Sequence, residues 1–358
     1  MKVLVYFALV LIAALGVAGY AGRDLQPEEL EARFAQPPSR FVTLDGVRVH
    51  FRDEGQGPAI LLLHGPRASL LMWEPWAEEL RERYRVVRFD LPGCGLTGPD
   101  PTGDYSLERT IELVERFADR MGLERFALGG ASVGATAAIH YTAAHEERVA
   151  RLIVVGPDIG FPRSHAMRAG GPASDASVSW GERAMARFVP RLVTEELLRH
   201  GFADPARVSD ELVEEWHLLW RRQGNRRAEL MRLQQYDPGD VGGSLRRIRA
   251  PVLLLWGALP EADADMSLAA VREQLVNAHS VRVEIVRGTG ALPVLEDPHG
   301  TARRARDFLD AGNADVPFDP LPEPDSLRPM EPELPIDGED TIRAAGLGTG
   351  VKGALARG

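Results

Sequence analysis

The five residues Gly130-Ala131-Ser132-Val133-Gly134 decide the fold of this chain, because they match the pattern Gly-x-Ser-x-Gly between two predicted elements. Residues 126–128 predict a strand before them, and residues 133–145 predict a helix after them. A sharp turn between strand and helix strains its central residue and needs glycines where side chains would collide with backbone. The pattern therefore predicts that Ser132 is raised at the carboxyl edge of a sheet as a nucleophile. The alternative is a small-residue turn that serves only close packing of the helix on the strand.

Strands and helices alternate on both sides of this turn. Residues 41–44 and 47–52 read as two strands joined by Asp45-Gly46, which is a strong signal for a two-residue hairpin. Further apolar runs predict buried strands at residues 59–63, 84–89, 152–155, 252–256 and 281–286. The alternation predicts an α/β fold, with a mainly parallel sheet and helices on both faces.

Signals for helix starts support the same organisation. Ser106 is placed to cap a helix whose apolar residues recur at helical spacing from Leu107 to Met121. Asp297-Pro298 is a cap residue followed by the proline that is favoured in a first turn. Between residues 161 and 240 only helical patterns occur, which predicts an inserted helical cap. The core then consists of residues 40–160 and 241–311.

The amino terminus carries a long apolar stretch. Residues 3–22 include no charged residue, and about twenty apolar residues suffice to cross a bilayer as a helix. Lys2 precedes the stretch and acidic residues follow Arg23, so the charge bias places the amino terminus inside and the remainder outside the cytoplasm. The alternative is a signal peptide cleaved after the small residues of Gly19-Tyr20-Ala21, which gives a secreted or periplasmic protein. Residues 23–39 are predicted to be a polar connector.

The composition excludes several classes of protein. The 42 basic residues are outnumbered by 52 acidic ones, and the net charge of −10 argues against nucleic acid as a partner. The single cysteine excludes an intramolecular disulfide and a thiolate metal cluster. No motif for a metal or an organic cofactor is present. Residues 312–358, with four basic and nine acidic residues and many prolines, are predicted to be a disordered acidic tail.

Several motifs in chain order resemble the α/β-hydrolase family, over residues 40–309. His64-Gly65 resembles the family's loop after the third strand, and Asp90-Leu91-Pro92-Gly93-Cys94-Gly95 is similar to its D-x-P-G-x-G turn. The resemblance implies an α/β-hydrolase fold, Ser132 as nucleophile, the Val133 N–H as oxyanion donor, and a small hydrophobic ester or carbonyl ligand. The apolar amino terminus and residues 38–46 look like those of membrane-anchored bacterial members.

Three positions depart from the family's pattern. The loop Gly288-Thr289-Gly290-Ala291-Leu292-Pro293 resembles the one that carries the catalytic histidine, but the histidine position holds Ala291. The usual acid, three residues beyond Trp256-Gly257, is replaced by Pro260. The second oxyanion donor would come from Pro66, which has no N–H. A serine hydroxyl is a poor nucleophile without a base and an orienting acid.

Two other residues are candidates for the missing functions. Asp158 follows the sixth strand, where some members carry the acid, and His165 lies at the start of the cap. His64 is expected to hold backbone rather than move protons, and Cys94 is expected to be buried. The sequence favours a degenerate hydrolase that binds a ligand without turnover. The alternative is an active serine-type ester hydrolase with an unconventional base.

Overall fold

The strands of one sheet fix the position of the Gly-x-Ser-x-Gly turn. A computed structural model describes residues 22–157, 189–258 and 268–311. The strands are β1 (Arg40–Leu44), β2 (Val47–Glu54), β3 (Ala59–Leu63), β4 (Arg85–Phe89), β5 (Phe126–Ser132), β6 (Val149–Pro157), β7 (Val252–Gly257) and β8 (Val281–Val286). They form a sheet of eight strands in the order β1-β2-β4-β3-β5-β6-β7-β8. The pairs β1–β2 and β2–β4 are antiparallel and all other pairs are parallel, which confirms the predicted sheet.

Helices separate the parallel strands. In chain order they are α1 (Pro27–Phe34), α2 (Glu74–Leu80), α3 (Leu107–Arg120), α4 (Val133–Ala144), α5 (Arg191–Gly201), α6 (Asp210–Trp220), α7 (Asn225–Gln235), α8 (Val241–Arg247), α9 (Leu268–Gln274), α10 (Pro293–Glu296) and α11 (Pro298–Asp310). The helices α5 to α7 fall within the segment predicted as a cap. Residues 158–188, which begin that segment, lie outside the described residues.

The structure contains the predicted hairpin turn and the two predicted helix caps. Asp45 and Gly46 both have positive φ, at 48° and 79°, as a type I′ hairpin requires. The Ser106 hydroxyl accepts a hydrogen bond from the Arg109 N–H, and the Asp297 carboxylate accepts one from the Gly300 N–H. Both predicted helix starts are therefore confirmed.

One helix was not anticipated. The predicted connector at residues 23–39 contains α1, which begins with a proline and has Glu28 and Glu29 in its first turn. Leu30 is 2% exposed and packs with Leu96 and with Leu219 of α6. A helix of eight residues is marginal alone, so this contact with the cap stabilises it.

None of the helices in the described parts of the chain is long and apolar enough to cross a bilayer. The predicted anchor or signal segment up to residue 21 and the predicted tail at residues 312–358 lie outside those parts. Both remain predictions from the sequence.

Candidate active site

Ser132 lies at the junction of β5 and α4. Its backbone has φ 52° and ψ −122°, a combination that residues other than glycine rarely adopt. The residue is half-buried and pairs with Pro157 at the carboxyl end of β6. The serine therefore occupies the edge of the sheet where ligands bind in α/β proteins.

Close backbone contacts hold this strained turn. A Cβ atom on Gly130 would lie 2.3 Å from the Gly134 carbonyl oxygen, and one on Gly134 would lie 2.5 Å from the His64 carbonyl oxygen. A Cβ atom on Gly65 would lie 3.3 Å from the Cβ of Ser132. Glycines at these three positions bring the His-Gly loop directly against the serine.

The site has one candidate oxyanion donor among the described residues. The Val133 N–H belongs to the first turn of α4, where N–H groups have no intrahelical partner and the helix dipole favours negative charge. Pro66, at the position of the second donor, has no N–H. The next N–H in the loop, that of Arg67, interacts with the Cys94 thiol and acts to lower its pKa.

The loop of residues 288–293 has no base at position 291 and is linked to the cap through Glu296. The Ala291 side chain is exposed and offers no proton acceptor. The buried Glu296 carboxylate accepts hydrogen bonds from the N–H groups of Gly290 in this loop and of Ala203 in the cap. Pro260, at the predicted acid position, lies outside the described residues.

No histidine among the eight in the described ranges hydrogen-bonds to Ser132. His64, whose neighbour Gly65 packs against Ser132, donates through Nδ1 to the Gly65 carbonyl at 2.6 Å and accepts the Leu91 N–H at Nε2, at 2.9 Å. Burial lowers the pKa of His64, which keeps the ring neutral. His64 therefore holds backbone, as predicted. The other histidines contact different partners or lie on the surface.

Asp158 and His165 are the two candidates for replacement groups. Asp158 and His165 both lie in the undescribed segment 158–188. Asp158 follows directly on Pro157, the register partner of Ser132. The two strands are neighbours at a spacing of about 5 Å, so the chain passes close to the serine at this point.

Two tryptophans of α6 contact the core. Trp216 of α6 packs against the core cluster that contains Ala131, the residue before Ser132. Trp220 of the same helix lies 5.6 Å from the Arg67 guanidinium, in a cation–π contact with the His-Gly loop. Cys94 is 4% exposed, which confirms its predicted burial, and burial raises the pKa of its thiol.

Sequence reasoning missed a second arrangement of serine, histidine and aspartate. The Ser39 hydroxyl lies 2.9 Å from Nε2 of His50, and Nδ1 of His50 lies 2.7 Å from the Asp90 carboxylate. However, the Ser39 oxygen also accepts a hydrogen bond from Nε of Arg52 at 3.0 Å. The three residues are far apart in the sequence, so no spacing pattern signals them. Because the Ser39 hydroxyl is engaged on both sides, this row braces the start of β1 against β2.

The buried Asp90 carboxylate also organises the loops around the site. It accepts hydrogen bonds from the N–H groups of Leu70 and Leu96, at 2.6 and 2.7 Å, in addition to the contact with His50. Burial alone would raise the pKa of Asp90, but the neighbouring His50 and these donors bring it below its usual value. Asp90 therefore holds both loops as a charged acceptor. No group of His, Cys, Asp and Glu within the described residues is arranged to hold a metal ion.

With this geometry established, comparison with known proteins identifies the family. Residues 58–298 match the family model of the alpha/beta hydrolase fold, which is more than half of the chain. This chain belongs to the α/β-hydrolase family. The predicted fold class and the resemblance to the family are thus confirmed.

The most informative relatives are hydrolases and a protein of unknown function. The chain is 28% identical over 303 residues to an uncharacterised protein of Mycobacterium tuberculosis, covering 77% of this chain and 81% of the relative. It is 27% identical over 237 residues to a 2-hydroxy-6-oxononadienedioate/2-hydroxy-6-oxononatrienedioate hydrolase of Cupriavidus pinatubonensis, covering 61% and 78%. Among solved structures, a membrane phospholipase A matches with a TM-score of 0.62 and 25% identity, covering 88% of this chain and 99% of that one.

Proposed function

We propose that this chain is a degenerate member of the α/β-hydrolase family, which binds a small hydrophobic ester or carbonyl ligand beside Ser132 and turns it over little or not at all. The observation that carries the proposal is Ala291, which stands where the catalytic base is expected. Without a base, the serine hydroxyl keeps its proton at neutral pH and attacks carbonyl carbon slowly.

The other departures act in the same direction. Loss of one oxyanion donor typically costs about 100- to 1000-fold in rate, and Pro66 removes such a donor. The bond between Glu296 and Gly290 holds the loop of Ala291 against the cap, and Pro260 offers no carboxylate to orient a base. Several members of one proton-transfer unit are therefore replaced together.

One observation favours a second candidate, an active serine-type ester hydrolase with an unconventional base. The chain retains the strained φ of 52° at Ser132, which a binding site alone does not need. Asp158 and His165 are the residues that would then supply the acid and the base. The named hydrolase relative supports hydrolytic activity in the family.

Hydrolysis of p-nitrophenyl butyrate by the full-length protein distinguishes the two candidates. We expect wild type, Ser132→Ala and the control Ser280→Ala, which changes an exposed serine, to hydrolyse this activated ester equally slowly. Stabilisation of the wild type by methyl hexanoate in thermal unfolding would support ligand binding. Rapid hydrolysis that disappears in Ser132→Ala and persists in Ser280→Ala would overturn the degenerate interpretation and direct the search to His165.

We further propose that residues 3–22 anchor the protein in a membrane, with the folded domain on the extracytoplasmic side. The charge-free length supports this, and so does the likeness to a membrane phospholipase A over 88% of this chain. Fractionation of expressing cells, with mass spectrometry of the mature amino terminus, tests it. A soluble protein that begins near Gly22 would show that the segment is a cleaved signal peptide.

A further inference from the structure

The strand β8 forms one edge of the sheet. It is the last strand in the order, and in the described parts of the chain it pairs with β7 alone. The Val252 N–H of β7 donates to the Ser280 carbonyl at 2.9 Å. In a parallel pair, the main-chain groups of alternate residues point to the neighbouring strand. The N–H and C=O groups of Val281, Val283 and Ile285 therefore point away from β7, along the open edge.

The two faces of β8 have different side chains. Val281, Val283 and Ile285 share one face, and Ile285 is 55% exposed. Arg282 and Glu284 share the opposite face, where they form an ion pair at 2.7 Å with side chains 40% and 26% exposed. An open strand edge with an apolar row is a template for pairing with another strand.

The order of the two charges fits a second copy of the same strand in one register. When two β8 strands run antiparallel about a twofold axis at Val283, Arg282 of each copy lies opposite Glu284 of the other. Moving the axis by one residue would place arginine opposite arginine, or glutamate opposite glutamate. Opposite charges across two strands stabilise the pair, and like charges destabilise it. The axis at Val283 also places the outward main-chain groups of Val281 opposite those of Ile285.

We propose that β8 pairs with β8 of a second copy of this chain, antiparallel and centred on Val283, so that the two sheets become continuous. Main-chain hydrogen bonds and the apolar row of the open edge hold this dimer together. Within its own copy, Glu284 is already close to Arg282 and to Arg304 of α11. The charges therefore select the register more than they add affinity. This inference is independent of what Ser132 does.

Two charge reversals test the partner and the register together. Arg282→Glu and Glu284→Arg each place like charges opposite each other, so we expect each variant to dimerise about tenfold or more weakly than wild type. An equal mixture of the two variants should form a heterodimer, because every cross-strand pair then has opposite charges. Sedimentation equilibrium of the full-length protein in a density-matched detergent measures these dissociation constants. The control Glu82→Arg reverses an exposed carboxylate outside β8 and should dimerise like wild type.

Val283→Pro tests the main-chain contribution. Proline has no N–H, but the N–H of Val283 points away from β7, and proline is tolerated at such positions of edge strands. We expect this variant to unfold cooperatively in urea and to sediment as a monomer.

Three results would overturn the proposal. A wild type that stays monomeric throughout the concentration series would exclude the dimer. A dimer that forms equally well in all three β8 variants would show that another surface holds it. Two weakened charge variants that form no heterodimer when mixed would exclude the register centred on Val283.

Discussion

Ser132 keeps a costly backbone conformation although its expected partners are replaced. A residue held in a sparsely populated φ/ψ region costs on the order of 1–3 kcal/mol, and the rest of the structure must compensate for it. Here Gly130, Gly134 and Gly65 let the neighbouring backbone pack closely around the turn, where a Cβ atom would not fit without displacement. The position of Ser132 is therefore maintained by packing that does not depend on catalysis.

Restoring the replaced residues tests the degenerate interpretation. We expect Ala291→His alone to raise the hydrolysis of p-nitrophenyl butyrate little, because the new imidazole lacks an orienting acid. The double variant with Pro260→Asp should gain more than the sum of the single variants, because members of one proton-transfer unit act together. Steady-state kinetics measures this. A folded double variant without any gain would show that the loop of residues 288–293 no longer has the required geometry.

A pair of glycine substitutions tests the packing of the turn. We expect Gly130→Ala to lower the free energy of unfolding by about 1–3 kcal/mol, because the new Cβ would lie 2.3 Å from the Gly134 carbonyl oxygen. Gly242→Ala is the control, because Gly242 lies in α8 and its nearest neighbour stands 3.5 Å from a new Cβ. It should stabilise by about 0.5–1 kcal/mol through helix propensity. Urea unfolding measures both, and equal effects would contradict the argument.

The sequence predicted individual residues where one local signal was sufficient. Cys94 and His64 sit in recognisable turns, and the loss of an N–H at Pro66 follows from residue type alone. The interaction of the Arg67 N–H with the Cys94 thiol could not be predicted, because it joins two separate loops. The same holds for the contacts of Ser39.

Among the elements, the four-residue helix α10 links the cap to the core. Its last residue, Glu296, is 2% exposed and accepts hydrogen bonds from the loop of residues 288–293 and from the cap at the same time. A carboxylate has two oxygens to accept these two N–H groups, whereas an amide has only one. This small helix therefore connects the cap to the core.

Glu296→Gln tests that connection. One of the two N–H groups, on Gly290 or Ala203, would face the amide nitrogen and lose its acceptor. We expect a loss of about 1–3 kcal/mol in the free energy of unfolding. The control Glu273→Gln changes an exposed residue of α9 and should have almost no effect. If both variants unfolded at the same urea concentration, the connection would contribute nothing.

Helix α6 carries a carboxyl group that responds to pH. Burial raises the pKa of Glu215 to about 7, with a further increase from Asp90 and Glu74 and an opposing effect of Arg52. In the unfolded chain the group ionises near 4.5. Between these values the folded chain binds more protons than the unfolded chain, so this group reduces stability as pH rises from about 4.5 to 7.

Glu215→Gln should remove that dependence. We expect the variant and the wild type to be equally stable near pH 4, and the variant to be more stable at pH 8. Urea unfolding across this pH range measures the difference. A difference that stays constant with pH would show that the pKa of Glu215 is the same in the folded and the unfolded chain.

Apolar runs and helical spacing predicted most of the strands and helices. The observed bounds of β3 and β8 are the predicted ones. The strand β5 extends beyond its predicted end at residue 128, because two glycines there still pair with β3. The helix α1 escaped prediction because it buries only Leu30, too little for an apolar stripe. Its stability comes from the cap, which no local pattern shows.

At the scale of the whole molecule, the cap and the core share many contacts. Arg232 of α7 donates to the Pro92 carbonyl and Asn225 donates to the Gly95 carbonyl, both in the core. A Cβ atom on Gly93 would lie only 2.2 Å from the Cβ of Ala228, so α7 rests directly on this turn.

We expect cap and core to unfold together. Hydrogen exchange should give α7 and the central strand β5 the same free energy of opening, because separating them would expose buried polar groups on both sides. Mass spectrometry of peptides from the two elements measures this. Faster exchange in α7 alone would show that the cap opens independently of the sheet.

The hydrogen-bonded row of Ser39, His50 and Asp90 shows what distinguishes a hydroxyl that can react from one that only links two strands. Ser39 has the imidazole and the carboxylate in the order that proton transfer needs, but its oxygen is already shared with Arg52. Within the described residues, the Ser132 hydroxyl is bonded neither to an imidazole nor to a guanidinium. In the part of the chain that the structure describes, the imidazole–carboxylate pair and the serine of the Gly-x-Ser-x-Gly turn therefore lie in separate places, and the pair is bonded to a serine whose oxygen already accepts from Arg52.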